Sequence, residues 1–463
     1  MSGGHAISAK LAVEGCRVVV VGAARSGLAA ATLLRSRGAV VTLTDVKPVV
    51  EGTEALQAQG IALELGGHDE RTLTAAALVV VSPGVRLDQP VLTAARSAGV
   101  PVIGELELAS RWLRGRVIAI TGTKGKSTTT TLVGRMLEAA GLRVMVGGNI
   151  GVPLSAQVDA SSPDTLHVVE ASSFQLEATE TLHPWIAAWL NFSPDHLDQH
   201  PTVEAYAAAK ARILRNQEAT DWAVINADDA GLREVLPPVR AQTVAFGLGD
   251  LVEGYTVANG FVVRRREREA RLLPLAAVHV LGAHLLSDVV AAVAVSDLAG
   301  ADPVAMTRAS DAFVGLEHSM ERVAEVDGVV FVNDSKATNI ESARRSIESV
   351  PHGLVAIMGG RYKGGDFASL AGALAGRALG IVAIGESAHR IADALAGYVE
   401  VTRASGMADA VRVAFARAAP HGTVVLAPGC SSFDMFRDYA ERGRVFKEEV
   451  RRLEEEQRST REQ

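Results

Sequence analysis

Short runs of aliphatic residues alternate with longer alanine-rich stretches through the first hundred residues of the chain. The runs at residues 17–21, 40–44 and 78–81 predict buried strands, and the alanine-rich stretch that ends near Ser36 predicts a helix. This alternation is typical of a parallel sheet with helices on its faces. A polar or glycine-bearing turn follows each predicted strand, so we expect these turns to share the ligand-binding edge of the sheet.

A second pattern occupies residues 118–128, where an apolar strand, the turn GTKG and the start of a helix follow one another. A phosphate-binding loop requires this order, because glycines turn backbone N–H groups toward the anion, a lysine reaches the β- and γ-phosphates, and a hydroxyl helps to hold Mg²⁺. The common P-loop pattern has a glycine five residues before Gly125, where this chain has Ile120. The loop is therefore a compressed variant.

Polar residues follow the next two predicted strands. Glu170 ends the run at residues 168–170, a common position for a carboxylate that contacts Mg²⁺ beside a P-loop; the alternative is an acid that caps the following helix. The strand at residues 187–192 leads into SPDHLDQH, whose carboxylates and imidazoles suggest a polar site. A helix predicted from about residue 202 to residue 216 then carries Lys210 in an alanine-rich face, where a lone lysine is usually solvated.

The last third of the chain repeats the alternation. Predicted strands at residues 329–332, 355–358, 381–384 and 424–427 each end in a polar or glycine-rich turn, and the first of them is predicted to be an edge strand. These four strands indicate a second doubly wound sheet with a ligand-binding edge.

Length and composition agree with several α/β domains. The chain has 463 residues, enough for about three domains, and is 48% hydrophobic and 21% charged, which is ordinary for a globular protein. We predict three domains: an N-terminal Rossmann-like domain at residues 1–104, a central P-loop ATPase-type α/β domain at residues 105–315, and a C-terminal Rossmann-like domain at residues 316–463.

Net charge and cysteine content argue against several kinds of binding site. The net charge of −7, with acids and bases interspersed, argues against a nucleic-acid-binding surface, and the basic run at residues 264–268 is predicted to be a solvated hairpin rather than a polyanion site. Cys16 and Cys430 have no spacing typical of a disulfide framework or a metal site. No export signal or unbroken membrane-spanning segment is visible, so we expect a cytoplasmic protein without membrane insertion. Separately, we expect a monomer.

Taken in order, these motifs resemble the Mur ligases, ATP-dependent amide-forming enzymes of bacterial cell-wall synthesis. The resemblance covers roughly residues 17–447. It is carried by the compressed loop GTKGKST and by EASSFQLE at residues 170–177, PDHLD at 194–198, AYAAAKARI at 205–213 and NDSKATN at 333–339. The last segment is similar to that of the family members that add glutamate to UDP-N-acetylmuramoyl-L-alanine.

The resemblance implies phosphoryl transfer followed by acyl transfer in peptidoglycan precursor synthesis. The carboxylate of UDP-N-acetylmuramoyl-L-alanine attacks the γ-phosphate of ATP, and the amine of glutamate then attacks the acyl phosphate. Because the first step brings anions together, charge neutralisation dominates catalysis. The implied co-substrate is ATP, and the implied cofactor is Mg²⁺, bound at two sites.

The resemblance also implies roles for single residues. Lys126 contacts the β- and γ-phosphates, and Ser127 and Glu170 hold the first Mg²⁺. His196 is a ligand of the second Mg²⁺, beside the acyl phosphate. Lys210 reacts with CO₂ to form a carbamate, which turns a cation into an anion that can bind metal.

Further residues are implied at each ligand. Asn149 lines the reacting carboxylate, and Lys336 contacts the transferred phosphate. The other ATP-binding residues are Gly122, Thr123, Lys124, Gly125, Thr128, Asp288 and, at the ribose, Asp334. The positions that bind glutamate are Thr338, Lys363, Ser432 and Tyr439. The turns expected to hold the UDP-sugar contain Arg25, Ser26, Asp45, Lys47 and Gly84.

The chain departs from the family's pattern at two places. The family's His-Asn-x-x-Asn, whose asparagines lie near adenine, is here HLLSD at residues 284–288, with Leu285 in place of the first asparagine. The family's His-Arg pair is here His318-Ser319, and Arg322 would compensate only if that segment were helical. These departures affect nucleotide affinity more than reaction type. They leave open a nucleotide-binding homologue without turnover, and the sequence also leaves open a preference for L-glutamate.

Overall fold

The computed structural model describes residues 11–195, 199–266, 268–280 and 282–461. The chain divides into two compact units, the first formed by Met1–Leu275 and Ser287–Ala309 and the second by Ala276–Leu286 and Ser310–Gln463. The first unit contains a five-stranded and a nine-stranded sheet, and the second contains a six-stranded sheet. The predicted α/β fold class is confirmed: along the sequence, a Rossmann-like sheet comes first, a P-loop sheet second and another Rossmann-like sheet third.

The five-stranded sheet is wholly parallel, with strand order β3-β2-β1-β4-β5. Its elements are β1 (Arg17–Val21), α1 (Arg25–Ser36), β2 (Val40–Asp45), α2 (Thr53–Ala58), β3 (Ala62–Leu65), α3 (Glu70–Thr74), β4 (Leu78–Val81), α4 (Pro90–Ser97), β5 (Val102–Gly104) and α5 (Glu105–Ser110). β4 and, after Arg17, β1 are apolar because helices cover both faces of the sheet.

The nine-stranded sheet has the order β14-β13-β12-β11-β10-β9-β6-β8-β7. Its first elements are β6 (Arg116–Thr121), α6 (Lys126–Ala139), β7 (Val144–Gly148), a 3₁₀ helix (Leu154–Ala160), β8 (Leu166–Glu170), α7 (Ser173–Glu177), β9 (Ile186–Trp189), α8 (Val203–Ala211), a 3₁₀ helix (Arg212–Leu214), β10 (Trp222–Asn226) and α9 (Ala230–Val235). The remaining elements are β11 (Gln242–Phe246), β12 (Gly254–Ala258), β13 (Phe261–Arg265), β14 (Ala270–Pro274), a 3₁₀ helix (Leu275–Ala277), α10 (Ala283–Leu298) and α11 (Pro303–Asp311).

Parallel pairing brings the ends of three central strands to one edge. In β6, Ile120 pairs with Glu170 of β8, and Thr121 pairs with Trp189 of β9. The loop after β6 and the side chain of Glu170 therefore lie at the same level of the sheet. The antiparallel strands β12, β13 and β14 extend the sheet on its far side.

The six-stranded sheet of the second unit has the order β15-β16-β20-β17-β18-β19. Its elements are β15 (Glu321–Val326), β16 (Val329–Asn333), α12 (Ile340–Glu348), β17 (Leu354–Gly359), a 3₁₀ helix (Phe367–Leu370), α13 (Ala371–Leu374), β18 (Ala378–Ile384), α14 (Ala388–Leu395), β19 (Val401–Arg403), α15 (Met407–Ala418), β20 (Thr423–Leu426) and α16 (Tyr439–Arg461). All pairings are parallel except that of β15 with β16.

In the five-stranded and six-stranded sheets, the strands that the hydrophobic pattern does not predict are β3, β5, β15 and β19, and each is a sheet edge. Three of them, β3, β15 and β19, contain at most one buried residue, so their apolar signal is weak. The prediction that residues 329–332 form an edge strand is wrong, because β15 covers that side of β16. The helix predicted to reach residue 216 ends as α8 at Ala211 and continues only as a 3₁₀ turn.

Gly27, near the turn after β1, is closely packed, and this packing can be tested by substitution. A Cβ atom on Gly27 would lie 1.8 Å from the carbonyl oxygen of Gly22 and 2.6 Å from Oγ of Ser82. We expect Gly27→Ala to lower the free energy of unfolding by about 2 kcal/mol, because a fixed backbone cannot move aside for the methyl group. Chemical denaturation measures the change. Gly84→Ala is the control, since no atom lies within 4 Å of its added Cβ; equal stabilities for the two variants would contradict the packing argument.

Candidate active site

The phosphate-binding loop occupies residues 122–125, between β6 and α6. Gly122 and Gly125 have φ angles of +158° and +81°, which residues with a side chain rarely adopt. At Gly125 a Cβ atom would also lie 2.0 Å from Oδ1 of Asp288. Lys126 is the first residue of α6, so the loop leads directly into the N-terminal turn of a helix, where backbone N–H groups favour an anion.

Two lysines converge on one carbonyl oxygen of this loop. Nζ of Lys126 donates to the carbonyl oxygens of Gly122 at 3.0 Å and Thr123 at 3.1 Å, and Nζ of Lys210 donates to that of Gly122 at 2.7 Å. The Lys210 side chain is 1% exposed, and its Nζ lies 4.7 Å from the centre of the Tyr206 ring. Burial, and then the charge of Lys126, lower the pKa of Lys210 to about 6. Lys210 is therefore mainly a neutral amine at pH 7, and not the solvated cation that its helix face suggests.

Two further predicted site residues donate hydrogen bonds to the carboxylate of Glu170. Oγ of Ser127 donates to one carboxylate oxygen and Nδ2 of Asn149 donates to the other, both at 2.7 Å. The alternative, that Glu170 caps the next helix, is wrong because Ser172 is the N-cap of α7 and forms a capping box with Gln175. Glu170 is thus a buried, hydrogen-bonded carboxylate at the phosphate loop.

The donor atoms at this point fit Mg²⁺. A serine hydroxyl and a carboxylate supply the hard oxygen ligands that Mg²⁺ prefers, and waters and phosphate oxygens usually complete its coordination. The amine of Lys210 is not such a ligand. Within the described ranges, no three His, Cys, Asp or Glu side chains are grouped closely enough to hold a metal ion. His196 lies outside the described residues, so its role as a metal ligand stays a prediction.

Asp288 of α10 is a buried carboxyl group against the same loop. Its side chain is 6% exposed, and its backbone carbonyl oxygen accepts a hydrogen bond from Oγ1 of Thr129 at 3.5 Å. Burial raises the pKa of Asp288 to about 8, although the charge of Lys126 opposes this shift. Asp288 is consequently a mainly neutral carboxyl group at pH 7. Thr128, also predicted to bind ATP, is buried in the first turn of α6.

The residues predicted for the UDP-sugar lie after the strands of the five-stranded sheet. The carboxylate of Asp45 accepts hydrogen bonds from the backbone N–H groups of Ala23 at 2.6 Å and Lys47 at 2.9 Å, and so ties the turns after β1 and β2 together. Arg25 is exposed and donates to the carbonyl oxygen of Gly151 at 3.3 Å, in the turn that carries Asn149. The side chain of Lys47 is exposed.

The turn after β4 borders a cavity of about 600 Å³ in the first unit. Gly84 and its neighbours to Asp88 form one wall, and Phe174, Glu177 and residues 199–201 form the other. Ser26 lies in the first turn of α1. The predicted UDP-sugar residues are therefore grouped at one edge of the sheet, as expected for parallel strands.

In the second unit, Asp334 and Lys336 follow β16. The Asp334 side chain is 8% exposed, and its carboxylate accepts hydrogen bonds from the Met320 backbone N–H at 3.2 Å and from Oγ of Ser346. Burial raises the pKa of Asp334, with these hydrogen bonds opposing the shift. Lys336 is exposed, and its carbonyl oxygen accepts a hydrogen bond from the Thr338 N–H at 2.8 Å.

The other residues predicted to bind the glutamate substrate follow further strands of this sheet or begin α16. Lys363 is exposed after β17, Ser432 is 2% exposed after β20, and Tyr439 begins α16. Oγ of Ser335 donates to the carbonyl oxygen of Tyr439 at 2.7 Å, which joins the turn after β16 to the start of α16.

The chain matches known proteins along nearly its whole length. Three family models match: the MurD-like N-terminal domain of Mur ligases at residues 16–104, the Mur ligase middle domain at 120–296, and the Mur ligase glutamate ligase domain at 320–430. The chain is 44% identical over 445 residues to a UDP-N-acetylmuramoylalanine–D-glutamate ligase of Acidobacterium capsulatum, which covers 95% of this chain and 96% of that protein. A Koribacter versatilis protein of the same name is 42% identical, with 96% and 99% covered.

This chain belongs to the Mur ligase family. The predictions of family and of ligase activity are confirmed. Two solved structures from Thermotoga maritima share the fold. UDP-N-acetylmuramate-alanine ligase MurC has a TM-score of 0.56 at 21% identity, covering 95% of this chain and 100% of that chain. MurF ligase in complex with ADP has a TM-score of 0.55 at 17% identity, covering 96% and 97%. In the part of the chain that the structure describes, no helix is long and apolar enough to span a membrane.

The structure explains the departure from the Mur ligase pattern at Leu285. At Ser319, it shows that Arg322 is not in a helix. Leu285 is buried among Met320, Ile340 and other apolar side chains of the second unit, so packing accounts for a leucine there. Arg322 does not compensate for Ser319 in the way a helix would allow, because it lies in strand β15. Its guanidinium pairs with Glu325 at 2.6 Å.

Two residues of the site are missed by the sequence analysis. Oδ1 of Asn191 accepts the backbone N–H groups of Thr123 at 3.0 Å and Lys124 at 2.9 Å, so this amide holds the phosphate loop in shape. Tyr206 lies under Lys210, and its hydroxyl is 3.3 Å from Oγ1 of Thr123. The predicted strand at residues 187–192 contains Asn191, but β9 ends at Trp189. A polar residue near the end of a buried strand beside the P-loop strand is the signal that could have found Asn191.

The buried carboxyl group of Asp288 predicts a pH dependence of stability. The unfolded chain ionises this group near pH 3.8, whereas the folded chain holds the proton until about pH 8. The group therefore stabilises the fold at low pH, and this stability is lost as pH rises through that window. We expect Asp288→Asn to gain at least about 2 kcal/mol relative to the wild type between pH 5 and pH 8.

Thermal unfolding at the two pH values measures this difference. Asp164→Asn, at an exposed position, is the control and should follow the wild type at both pH values. A difference between Asp288→Asn and the wild type that is the same at pH 5 and pH 8 would show that the carboxyl group does not titrate in this range.

Proposed function

We propose that this protein is a UDP-N-acetylmuramoylalanine–D-glutamate ligase, which forms an amide between D-glutamate and UDP-N-acetylmuramoyl-L-alanine with cleavage of ATP in peptidoglycan precursor synthesis. One observation carries the proposal: Ser127 and Asn149 meet on the Glu170 carboxylate, beside the loop on which Lys126 and Lys210 converge. The names of the relatives contain UDP-N-acetylmuramoylalanine and D-glutamate, which supports these two compounds as the substrates.

The proposed reaction has two steps. The terminal carboxylate of the acceptor attacks the γ-phosphorus of ATP, which gives an acyl phosphate and ADP. The amine of glutamate then attacks the acyl carbon, and inorganic phosphate leaves as the amide forms. In the first step Lys126, at the start of α6, stabilises charge on the β- and γ-phosphates, as do the loop N–H groups of residues 122–128.

Several residues are assigned to charge control around the acceptor. Ser127 and Glu170 would hold one Mg²⁺, which supplies charge neutralisation to the phosphate oxygens. Asn149 orients the reacting carboxylate by its amide. Lys210, as a carbamate formed from CO₂, and His196 are the assigned ligands of a second Mg²⁺. The low pKa of Lys210 supports this, because a neutral amine is the form that attacks CO₂.

The remaining assignments follow the turns of the two Rossmann-like sheets. We assign Asp334 to the ribose and Lys336 to the transferred phosphate. The set for the incoming glutamate is Thr338, Lys363, Ser432 and Tyr439. The set for the UDP-sugar is Arg25, Ser26, Asp45, Lys47 and Gly84. We further propose the domain limits 1–104, 105–315 and 316–463, a cytoplasmic location and a monomer.

A phosphate-release assay tests the reaction and its stereochemistry. The purified protein is given ATP, Mg²⁺, UDP-N-acetylmuramoyl-L-alanine and either D- or L-glutamate. We expect phosphate release with D-glutamate only, and none from Lys126→Ala, which lacks the ammonium group at the phosphates. Release with L-glutamate only would move the specificity to the other enantiomer. No release with either would favour a nucleotide-binding homologue without turnover, which the departures at Leu285 and Ser319 make worth testing.

Lys210 provides a test of the carbamate. Lys210→Ala should lower turnover by about 100-fold or more, because the loss of a metal-binding anion at the transferred phosphate removes transition-state stabilisation. Removing bicarbonate should weaken the wild type. Activity should also fall as pH drops below about 6, where the amine of Lys210 is protonated and no longer reacts with CO₂.

Glu204→Gln, an exposed change on the same helix, is the control and should keep full activity. Protein prepared with isotope-labelled bicarbonate should show a carbamate resonance that Lys210→Ala lacks. Full activity of Lys210→Ala in the phosphate-release assay, equal to that of the wild type, would show that the carbamate assignment is wrong.

A further inference from the structure

Arg442 of α16 is a buried guanidinium group to which the sequence motifs assign no role. Its side chain is 1% exposed. Nε donates to Oγ of Ser335 and Nη2 donates to the carbonyl oxygen of Ser335, both at 2.9 Å. Nη1 donates to the carbonyl oxygens of Cys430 at 3.1 Å and Gly359 at 3.4 Å. One side chain thus connects residues that follow or end three different strands, β16, β20 and β17.

All of these acceptors are neutral. Among the described residues, no carboxylate forms an ion pair with Arg442, and the nearby carboxylate of Asp434 instead accepts the Glu386 N–H at 2.9 Å. Burial lowers the pKa of Arg442 to about 10, so the group is still a cation at pH 7. A buried cation that forms no ion pair is costly, and simple packing would be met better by an apolar side chain of similar size.

The three connected turns carry the residues assigned to glutamate. Ser335 lies three residues before Thr338, Gly359 four before Lys363, and Cys430 two before Ser432. Ser335 also donates to the carbonyl oxygen of Tyr439, so the fourth assigned residue is joined to the same group of contacts. A planar fork of N–H groups can hold several carbonyl oxygens in fixed directions, which the single ammonium group of lysine cannot do.

We propose that Arg442 is a positioning residue for the amino-acid substrate. Its guanidinium holds the turns after β16, β17 and β20 in the arrangement that binds glutamate. Its buried positive charge also favours a substrate with two carboxylates at those turns. This inference rests on the proposed function, since it takes glutamate as the substrate.

Two variants separate the geometry from the charge. Arg442→Met removes both the fork and the cation, and Arg442→Lys keeps a cation only. We expect Arg442→Met to raise the KM for glutamate by about tenfold or more, since hydrogen bonds to a buried charge are lost. The KM for UDP-N-acetylmuramoyl-L-alanine, whose assigned residues lie in the five-stranded sheet, should change less than about twofold. Arg442→Lys should give a KM for glutamate between those of the wild type and Arg442→Met.

Arg451→Met is the matched control, because Arg451 is an exposed arginine of the same helix, and all of its constants should match the wild type. Circular dichroism checks folding, and Arg442→Lys alone decides the question if Arg442→Met does not fold. A wild-type KM for glutamate in the folded Arg442 variants, or an equal rise in the KM of both substrates, would overturn the inference. A wild-type protein that does not use glutamate would instead overturn the proposed function.

Discussion

The parallel pairing of β6 with β8 and β9 is the constraint on which the active site depends. It sets Ile120 beside Glu170 and Thr121 beside Trp189, so the phosphate loop, the Glu170 carboxylate and the turn with Asn191 begin at one level. Side chains from three separate stretches of sequence can then reach each other within hydrogen-bonding distance. Ser127 and Asn149 both bond to Glu170 because the strands that precede them end at this edge. A slip of one residue in the pairing of β8 with β6 would turn Glu170 to the opposite face of the sheet.

Burial then decides the charge of the groups around that edge. Lys210 and Asp288 are both buried against the loop, and burial shifts their pKa values in opposite directions, so that each tends toward its neutral form at pH 7. Glu170 and Arg442 are buried too, but each has several hydrogen-bond partners that compensate for lost solvation. The chemistry available to each residue therefore depends on its partners as much as on its type. This is why a lysine in an alanine-rich helix face can be a buried, mainly neutral amine here.

Much of the fold follows from local patterns, and the exceptions have a common cause. The central strands of each sheet are apolar on both faces and give strong signals, whereas β3, β15 and β19 lie at edges, are partly exposed and carry weak ones. The identity of the phosphate loop was predictable because its residues are contiguous. The roles of Asn191, Tyr206 and Arg442 were not, because each acts on residues far away in the sequence. The exchange at Leu285 also needed the structure, which shows that this side chain packs in an apolar core.

The sequence by itself determined the alternation of central strands and helices, the compressed phosphate loop and the family. It also placed most candidate residues in turns after strands, since those properties depend on neighbouring residues and on contiguous motifs. Only the tertiary structure decided which of these residues touch. It showed that Glu170 binds Ser127 and Asn149 rather than capping α7, that Lys210 is buried above Tyr206, and that Arg442 joins three turns. The physical reason is that contact, burial and therefore charge depend on strand register and packing between distant segments, which local sequence does not encode.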